Sequence, residues 1–245
     1  MPRRRVPLPL LAIVAAASVT AVVFGGGAII QDQAAATRVA TIREDVASDA
    51  AGEALLVDWD ALAATCPAAC AWVRVDATHI DQPVARAEGP EHMDFYLTHD
   101  AWGEPTEHGC PFLDYRSDPD AGIQVSYAHH FNGQTIGYSE LYGCWEQSAF
   151  EGVGALHWST PARGTLEMAP LCALRVDMED MEAQTFDVAS TTELREWLSS
   201  MCGRAEAIAP DWEERVSGAT RAVELVTCSS SIPGQRTRTV VVFCS

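Results

Sequence analysis

The 245-residue sequence contains no lysine, and all 16 of its basic residues are arginine. There are 34 acidic residues, so the formal net charge is −18 at pH 7. Binding to nucleic acid or to an anionic lipid surface needs a basic face that can release counterions. The composition therefore argues against both, and we expect no nucleic-acid partner.

Several motifs of cofactor chemistry are also missing. There is no glycine-rich phosphate loop, and no His and carboxylate residues stand at the spacing of a metal triad. Cys66 and Cys70 are not followed by a second Cys or His pair at zinc-ligand spacing. We expect neither a cofactor nor a metal. Internal repeats and low-complexity linkers are absent as well.

The one long hydrophobic run in the sequence lies at the N-terminus. Arg3, Arg4 and Arg5 precede an uncharged stretch from Val6 to Ile30. This stretch exceeds the roughly 20 residues that span a bilayer as a helix, and it is longer than a typical cleavable apolar region. Residues 1–30 are predicted to form a cytoplasmic tip and a membrane anchor, with the rest of the chain outside. Ala34–Ala36 also fits a signal-peptidase site, which leaves cleavage as an alternative.

Apolar periodicity changes along the chain. Between Gln31 and Ala64 apolar residues recur at spacings of three and four, which predicts two short helices with a break near Gly52. From Trp72 onward the period is two, as in half-buried strands. Val240–Cys244 is unbroken apolar and predicts a strand covered on both faces.

One helix is predicted among the later strands. Ser190 to Glu193 fits a capping box, and Gly203 stands where a C-terminal cap belongs. The apolar stripe between them comprises Leu194, Trp197, Leu198 and Met201.

A thiol and an imidazole lie on separate predicted strands. Leu225–Ser229 contains Cys228, Tyr127–His130 contains two histidines, and arginines precede the last apolar run. A thiol attacks as thiolate and therefore needs a nearby His or another positive partner. This arrangement predicts a Cys/His acyl-transfer enzyme.

Six segments in collinear order then resemble a sortase, most closely one of class B. The resemblance extends from about Val57 to the last residue. The segments are Trp72–Val84, Tyr96–Asp100, Phe112–Arg116, Tyr127–His129, Glu224–Cys228 and Arg238–Val241.

The resemblance implies a mainly β fold. We expect a closed eight-stranded sortase-like β-barrel with two N-terminal helices and one helix inserted before the strand that carries Cys228. The expected divisions are residues 1–30 as tip and anchor, 31–70 as an N-terminal helical segment and 71–245 as the catalytic barrel.

The resemblance also implies roles for three residues. Cys228 would be the nucleophile, His129 the proton donor and acceptor, and Arg238 the oxyanion donor. The acyl donor would be a surface protein or pilin with a sorting signal of the L-P-x-T-G or N-P-x-T-G type. The acceptor would be an amine on peptidoglycan precursor or on a pilin, and the enzyme would be anchored in the cell membrane.

Alternative residues remain for the histidine and for the arginine. His130 adjoins His129, and Arg236 shares a strand face with Arg238 by period two. Ala128 and Glu224 depart from the residues usual in the family, and we expect them to alter substrate fit rather than chemistry. The remaining histidines are interpreted as structural.

The chain has eight cysteines, so seven remain beside Cys228 and cannot all pair internally. An exported chain often uses disulfides, and a turn at Pro67 would permit a Cys66–Cys70 bridge. Most of the seven are predicted to be buried apolar thiols.

Two rival functions remain at this point. Papain-like thiol proteases have Cys before His, with the Cys at the start of a helix, whereas here His precedes Cys and both lie on predicted strands. An exported, disulfide-stapled binding domain in which Cys228 is bridged is the non-enzymatic alternative.

Overall fold

Strands dominate the part of the chain that the structure, a computed structural model, describes: residues 31–49, 55–228 and 236–245. The strands are β1 (Ala47–Asp49), β2 (Leu55–Val57), β3 (Ala69–Val75), β4 (Asp81–Arg86), β5 (Phe112–Leu113), β6 (Ile123–Tyr127), β7 (Leu156–Thr160), β8 (Gly164–Asp177), β9 (Ala207–Ile208), β10 (Ala222–Cys228) and β11 (Thr237–Cys244). The helices are α1 (residues 31–46), α2 (Trp59–Thr65), α3 (Gln147–Phe150), α4 (Thr191–Arg204) and α5 (Trp212–Gly218), with 3₁₀ turns at Pro90–His92, Phe95–Leu97 and Ser139–Leu141.

The main sheet closes on itself. Its strand order is β11-β10-β6-β5-β4-β3-β7-β8-β9, and β11 also pairs with β8. This last pairing joins eight strands into a barrel and leaves β9 as an extension beside β8. The predicted closed eight-stranded, mainly β barrel is confirmed. The pairs β6–β10 and β4–β5 are parallel, and the other pairs within the barrel are antiparallel.

β11 shows how the barrel core is built. Val241 and Phe243 belong to the cluster inside the barrel, whereas Val240, Val242 and Cys244 pack in the outer cluster that includes α4. All five side chains are buried. The prediction of a strand covered on both faces is therefore confirmed, because an unbroken apolar run has no face that tolerates water.

The N-terminal segment packs on the opposite outer face. Ile42 of α1 and Leu62 of α2 share a buried cluster with Trp72 of β3. The two predicted helices are present, but Leu55, which lies within the segment from Gln31 to Ala64 that was predicted to be helical, belongs to strand β2. β1 and β2 form an antiparallel pair, and the Leu55 carbonyl accepts a hydrogen bond from the Thr165 hydroxyl. Strand pairing thus satisfies backbone groups that the apolar spacing had suggested were helical.

The segment between β8 and β10 is more helical than predicted. α4 begins as expected, with the Ser190 hydroxyl accepting a hydrogen bond from the Glu193 amide at 3.2 Å. The helix continues through Gly203 to Arg204, so the predicted glycine cap is wrong. The sequence predicted only one helix between β8 and β10, and α5 is an additional second helix. It has seven residues and one buried side chain, Val216, too few to give an apolar stripe.

The predicted membrane anchor, Val6 to Ile30, lies outside the described residues. Within residues 31–49, 55–228 and 236–245, no helix has the length and apolar character needed to cross a bilayer.

Candidate active site

Strand register brings the three predicted site residues to one edge of the barrel. Tyr127 of β6 lies opposite Val226 of the parallel strand β10, so His129 and Cys228, each two residues further on, reach the same level. On the other side of β10, Arg238 of β11 is the Cα partner of Cys228. The Cys228 backbone thus lies between those of His129 and Arg238.

Two hydrogen bonds extend the β6–β10 contact beyond the paired residues. The Ala128 amide donates to the Val226 carbonyl at 3.1 Å, and the Thr227 hydroxyl donates to the Ala128 carbonyl at 2.9 Å. The segment that carries His129 is consequently fixed to the strand that carries Cys228.

The His129 ring is oriented by one main-chain group. Its Nε2 lies 2.8 Å from the Leu97 carbonyl oxygen, which can only accept a hydrogen bond. Nε2 therefore carries a proton, and Nδ1 is the ring atom left to exchange one with a reactant. The ring of Phe131 meets the His129 ring edge to face, with centroids 5.3 Å apart.

Gly137 holds the His129 main chain in place. Tyr138 donates its amide to the His129 carbonyl at 3.0 Å. A Cβ at Gly137 would stand 2.7 Å from that same carbonyl oxygen, and Gly137 adopts a φ of +60°. Both observations require glycine there.

The adjacent His130 has different surroundings. Its ring stacks on Tyr142 at a centroid distance of 4.1 Å, and burial lowers its pKa. His129 lines the cavity described below, whereas His130 does not.

The two arginines also differ. Arg238 is half-buried, lines the cavity, and donates to the Thr237 carbonyl at 3.1 Å. Arg236 is exposed and forms ion pairs with Asp177 at 2.7 Å and Glu179 at 2.8 Å. Those two carboxylates raise the pKa of Arg236. Of the two arginines, Arg238 lines the cavity and Arg236 does not.

The cavity has a volume of about 330 Å³ and lies at the edge where β6 and β10 end. Its floor is apolar, with Phe112, Tyr127, Val226 and Val240. Its rim carries carboxylates and the Arg238 guanidinium. The rim and remaining walls comprise Met93, Asp94, Leu97, Ala128, His129, Val176, Asp177, Met178, Asp180, Ala183, Gln184, Thr227 and Arg238. An apolar floor under a few polar groups is typical of a ligand site.

Sequence reasoning missed part of this site. The contact of His129 with Leu97 uses the Leu97 main-chain carbonyl, so no pattern of side chains predicts it. Leu97 does lie in one of the six sortase-like segments. The wall formed by Asp177, Met178 and Asp180 begins at the last residue of β8 and continues into the polar segment before α4, which has no apolar periodicity.

The two departures from the family pattern occupy different places. The Ala128 methyl is buried among core residues and lines the cavity. Glu224 lies between Val125 and Val242 on the neighbouring strands and is fully buried. Neither of its carboxylate oxygens has a hydrogen-bond partner. Burial raises its pKa well above the usual value, with Asp180 adding to the effect and Arg204 opposing it.

None of the seven cysteines other than Cys228 is bridged. The predicted alternative of a Cys66–Cys70 bridge is therefore not formed, and the prediction of buried thiols holds for six of them, with Cys70 half-buried. Among the described residues, no cluster of three or more His, Cys, Asp or Glu side chains is arranged to hold a metal ion.

No protein-family model and no curated protein matches the chain. Several solved structures, however, are similar to it. Sortase B from B. anthracis superposes with a TM-score of 0.66 at 18% identity, covering 88% of this chain and 98% of that one. The Staphylococcus aureus sortase B–substrate complex gives 0.63 at 18% identity, covering 76% and 83%.

A Streptococcus pyogenes class B sortase involved in pilus biogenesis has a TM-score of 0.60 at 23% identity, covering 77% of this chain and 97% of that one. The chain has the fold of class B sortases.

Proposed function

We propose that the chain is a sortase-type cysteine transpeptidase that uses Cys228, His129 and Arg238. The observation that supports this most is the register of the strands, which sets the Cys228 backbone between those of His129 and Arg238. His129 and Arg238 both line a cavity at that edge.

The first half-reaction is acyl transfer to sulfur. The Cys228 thiolate attacks the carbonyl carbon of a peptide bond in the donor. Arg238 donates hydrogen bonds to the oxygen as negative charge develops there. The C–N bond then breaks, His129 gives a proton to the departing amine, and a thioester remains on Cys228.

The second half-reaction regenerates the enzyme. An acceptor amine attacks the thioester carbonyl while His129 takes its proton. The C–S bond breaks, Cys228 leaves as thiolate, and a new amide joins donor and acceptor. No metal or redox cofactor enters this scheme.

The cavity favours a particular class of donor. Its apolar floor suits the leucine and proline of an L-P-x-T-G signal, and it equally admits the proline of N-P-x-T-G. We propose that surface proteins or pilins with such a signal are the donors, and that an amine of peptidoglycan precursor or of a pilin is the acceptor. The neighbouring solved structures support this, since one is a substrate complex, one is a complex with triglycine and one acts in pilus biogenesis.

The proposed arrangement in the cell follows from the sequence. Residues 1–30 would form the cytoplasmic tip and membrane anchor, residues 31–70 a helical segment, and residues 71–245 an extracellular catalytic barrel. The run from Val6 to Ile30 supports this orientation because arginines precede it.

Cleavage of a fluorogenic sorting-signal peptide tests the assignment of the nucleophile. Cys228→Ala should abolish cleavage, because it removes the sulfur on which the thioester forms. Cys110→Ala, which removes a thiol buried in the N-terminal cluster, should keep most of the activity. Turnover by a folded Cys228→Ala protein would refute the mechanism. If unreduced native protein shows Cys228 protected from alkylation by a disulfide, the binding-domain alternative is favoured instead.

A further inference from the structure

Two thiols that have no part in the proposed chemistry meet between α4 and the barrel. Cys202 lies near the end of α4, and Cys172 lies on β8. Their relative exposures are 5% and 0%. Both belong to the buried cluster between the barrel and α4. Hydrogen bonding between the two thiols raises the pKa of Cys172 and lowers that of Cys202, as expected if Cys172 is the donor.

We propose that Cys172 and Cys202 are a disulfide site that fastens α4 to β8. α4 packs directly on β8, and both thiols are buried in the cluster that this packing forms, so the bond would join two elements that are already in contact. The residues are 30 positions apart in the chain, so the bond would close a long loop, which is the kind of crosslink that stabilises a fold most.

Cys244 is the nearest competing partner, and the strand register disfavours it. Val242 is the residue of β11 opposite Cys172, whereas Cys244 lies opposite Ala169. Cys172 and Cys244 are therefore displaced from each other along two paired strands. Their positions do not match the short Cβ–Cβ separation that a relaxed disulfide requires.

The chemistry proceeds by thiol–disulfide exchange with a disulfide-bearing oxidant, either an oxidoreductase or glutathione disulfide. The Cys202 thiolate attacks the oxidant and forms a mixed disulfide, releasing one oxidant thiol. Cys172 then attacks the Cys202 sulfur and releases the second. Cys172 and Cys202 lose two electrons and two protons in total, and the oxidant is reduced to two thiols.

Cys202 is the better attacking group of the pair. It is closer to the surface, and the hydrogen bond that it accepts from Cys172 lowers its pKa. The pKa of Cys172 is raised by that donation and by burial. A thiolate therefore forms first at Cys202, which is also the side from which an oxidant can approach.

The bond would stabilise one wall of the catalytic cavity. The loop between Cys172 and Cys202 contains Asp177, Met178, Asp180, Ala183 and Gln184, all of which line the cavity. Formation of the bond in the cell rests on the extracellular location proposed above, because that environment permits disulfides. Its formation in vitro depends only on the two thiols.

Peptide mapping tests the pairing directly. The full chain with Cys228→Ala, which removes the nucleophile from thiol exchange, is equilibrated with glutathione disulfide or with dithiothreitol, alkylated and digested with trypsin. Because cleavage occurs only after arginine, Cys172, Cys202 and Cys244 fall in three separate peptides, Gly164–Arg175, Glu196–Arg204 and Thr239–Ser245. We expect the oxidised sample to contain the first two joined by a disulfide.

Thermal unfolding gives a second measurement. Oxidation should raise the melting temperature by roughly 10 °C. Adding Cys202→Ser should remove this rise, whereas Cys144→Ser, at a buried thiol inside the barrel, should keep it. The oxidised and reduced forms of each variant are compared, so any loss of stability from the substitution itself cancels. Full alkylation of both thiols after oxidation, or linkage of either to Thr239–Ser245, would overturn the proposal.

Discussion

At the scale of single residues, the proposed site combines the His129 imidazole, which the Leu97 carbonyl orients, with Arg238, which lines the cavity. His129→Ala and Arg238→Ala should each lower kcat/KM for a sorting-signal peptide by on the order of 10²-fold or more. Arg238→Lys should not restore activity, because a Lys ammonium does not reproduce the planar fork of Arg.

Arg236 provides the matched control for this prediction. It lies two residues from Arg238 but is held by Asp177 and Glu179 on the exposed surface. Arg236→Ala should therefore retain most of the activity when kcat/KM is measured on the same peptide. An inactive Arg236→Ala together with an active Arg238→Ala would mean that the register assignment is wrong by two residues.

Glu224 makes the stability of the protein depend on pH. Its pKa in the folded state is raised above the ordinary value of 4.5 by burial, so the folded state binds a proton that the unfolded state has lost. Stability is therefore lost as pH rises above about 4.5. Each unit of displacement in this pKa corresponds to about 1.4 kcal/mol.

Glu224→Gln should remove this dependence, because the amide is close in size and cannot ionise. Urea unfolding at pH 4 should give similar free energies for both proteins, and at pH 8 the Gln variant should be more stable. An unchanged pH profile would mean that the Glu224 carboxyl has its ordinary pKa. The sequence marked Glu224 as a departure from the family pattern, but it did not show that the side chain is fully buried and lies outside the cavity, because the alternating strand does not indicate which face is covered.

At the scale of elements, the loop between His130 and Tyr138 determines where His129 lies. Gly137 and Gly133 both adopt positive φ, +60° and +68°, but only a Cβ at Gly137 would meet the His129 carbonyl. Either alanine should cost about 1 kcal/mol in backbone strain. Gly137→Ala should in addition displace His129 and lower kcat/KM about 10-fold or more, a loss typical of a misplaced catalytic group.

Gly133→Ala is the control for strain without contact, since nothing lies within 4 Å of its added Cβ. Gly133→Ala should lower the melting temperature about as much as the backbone strain in Gly137→Ala does, but it should keep kcat/KM close to that of the native protein. Equal activity of the two variants would show that Gly137 does not position His129.

The elements also show how far sequence reasoning reaches. Strong periodicity predicted β10, β11 and α4, because each buries a continuous row of side chains. The β1–β2 pair and α5 were missed because they are short and are fixed by contacts with distant residues, such as that of Leu55 with Thr165. The order of sortase-like segments predicted the barrel, but a closure that depends on β11 pairing with β8 is a property of the assembled sheet.

At the scale of the whole molecule, the chain combines a sortase B fold with an acidic, lysine-free composition. Because it contains no lysine, none of its side chains carries a primary amine. A transpeptidase that joins acyl groups to amines would therefore find no acceptor on its own extracellular barrel. The sole enzyme-bound acyl species should be the thioester.

Intact-mass analysis of the full-length protein incubated with a sorting-signal peptide tests whether acyl transfer passes through Cys228. We expect one adduct with the mass of the acyl fragment, located at Cys228, absent from Cys228→Ala and released by hydroxylamine as a thioester is. A hydroxylamine-resistant adduct, or an acyl group on any residue other than Cys228, would contradict it.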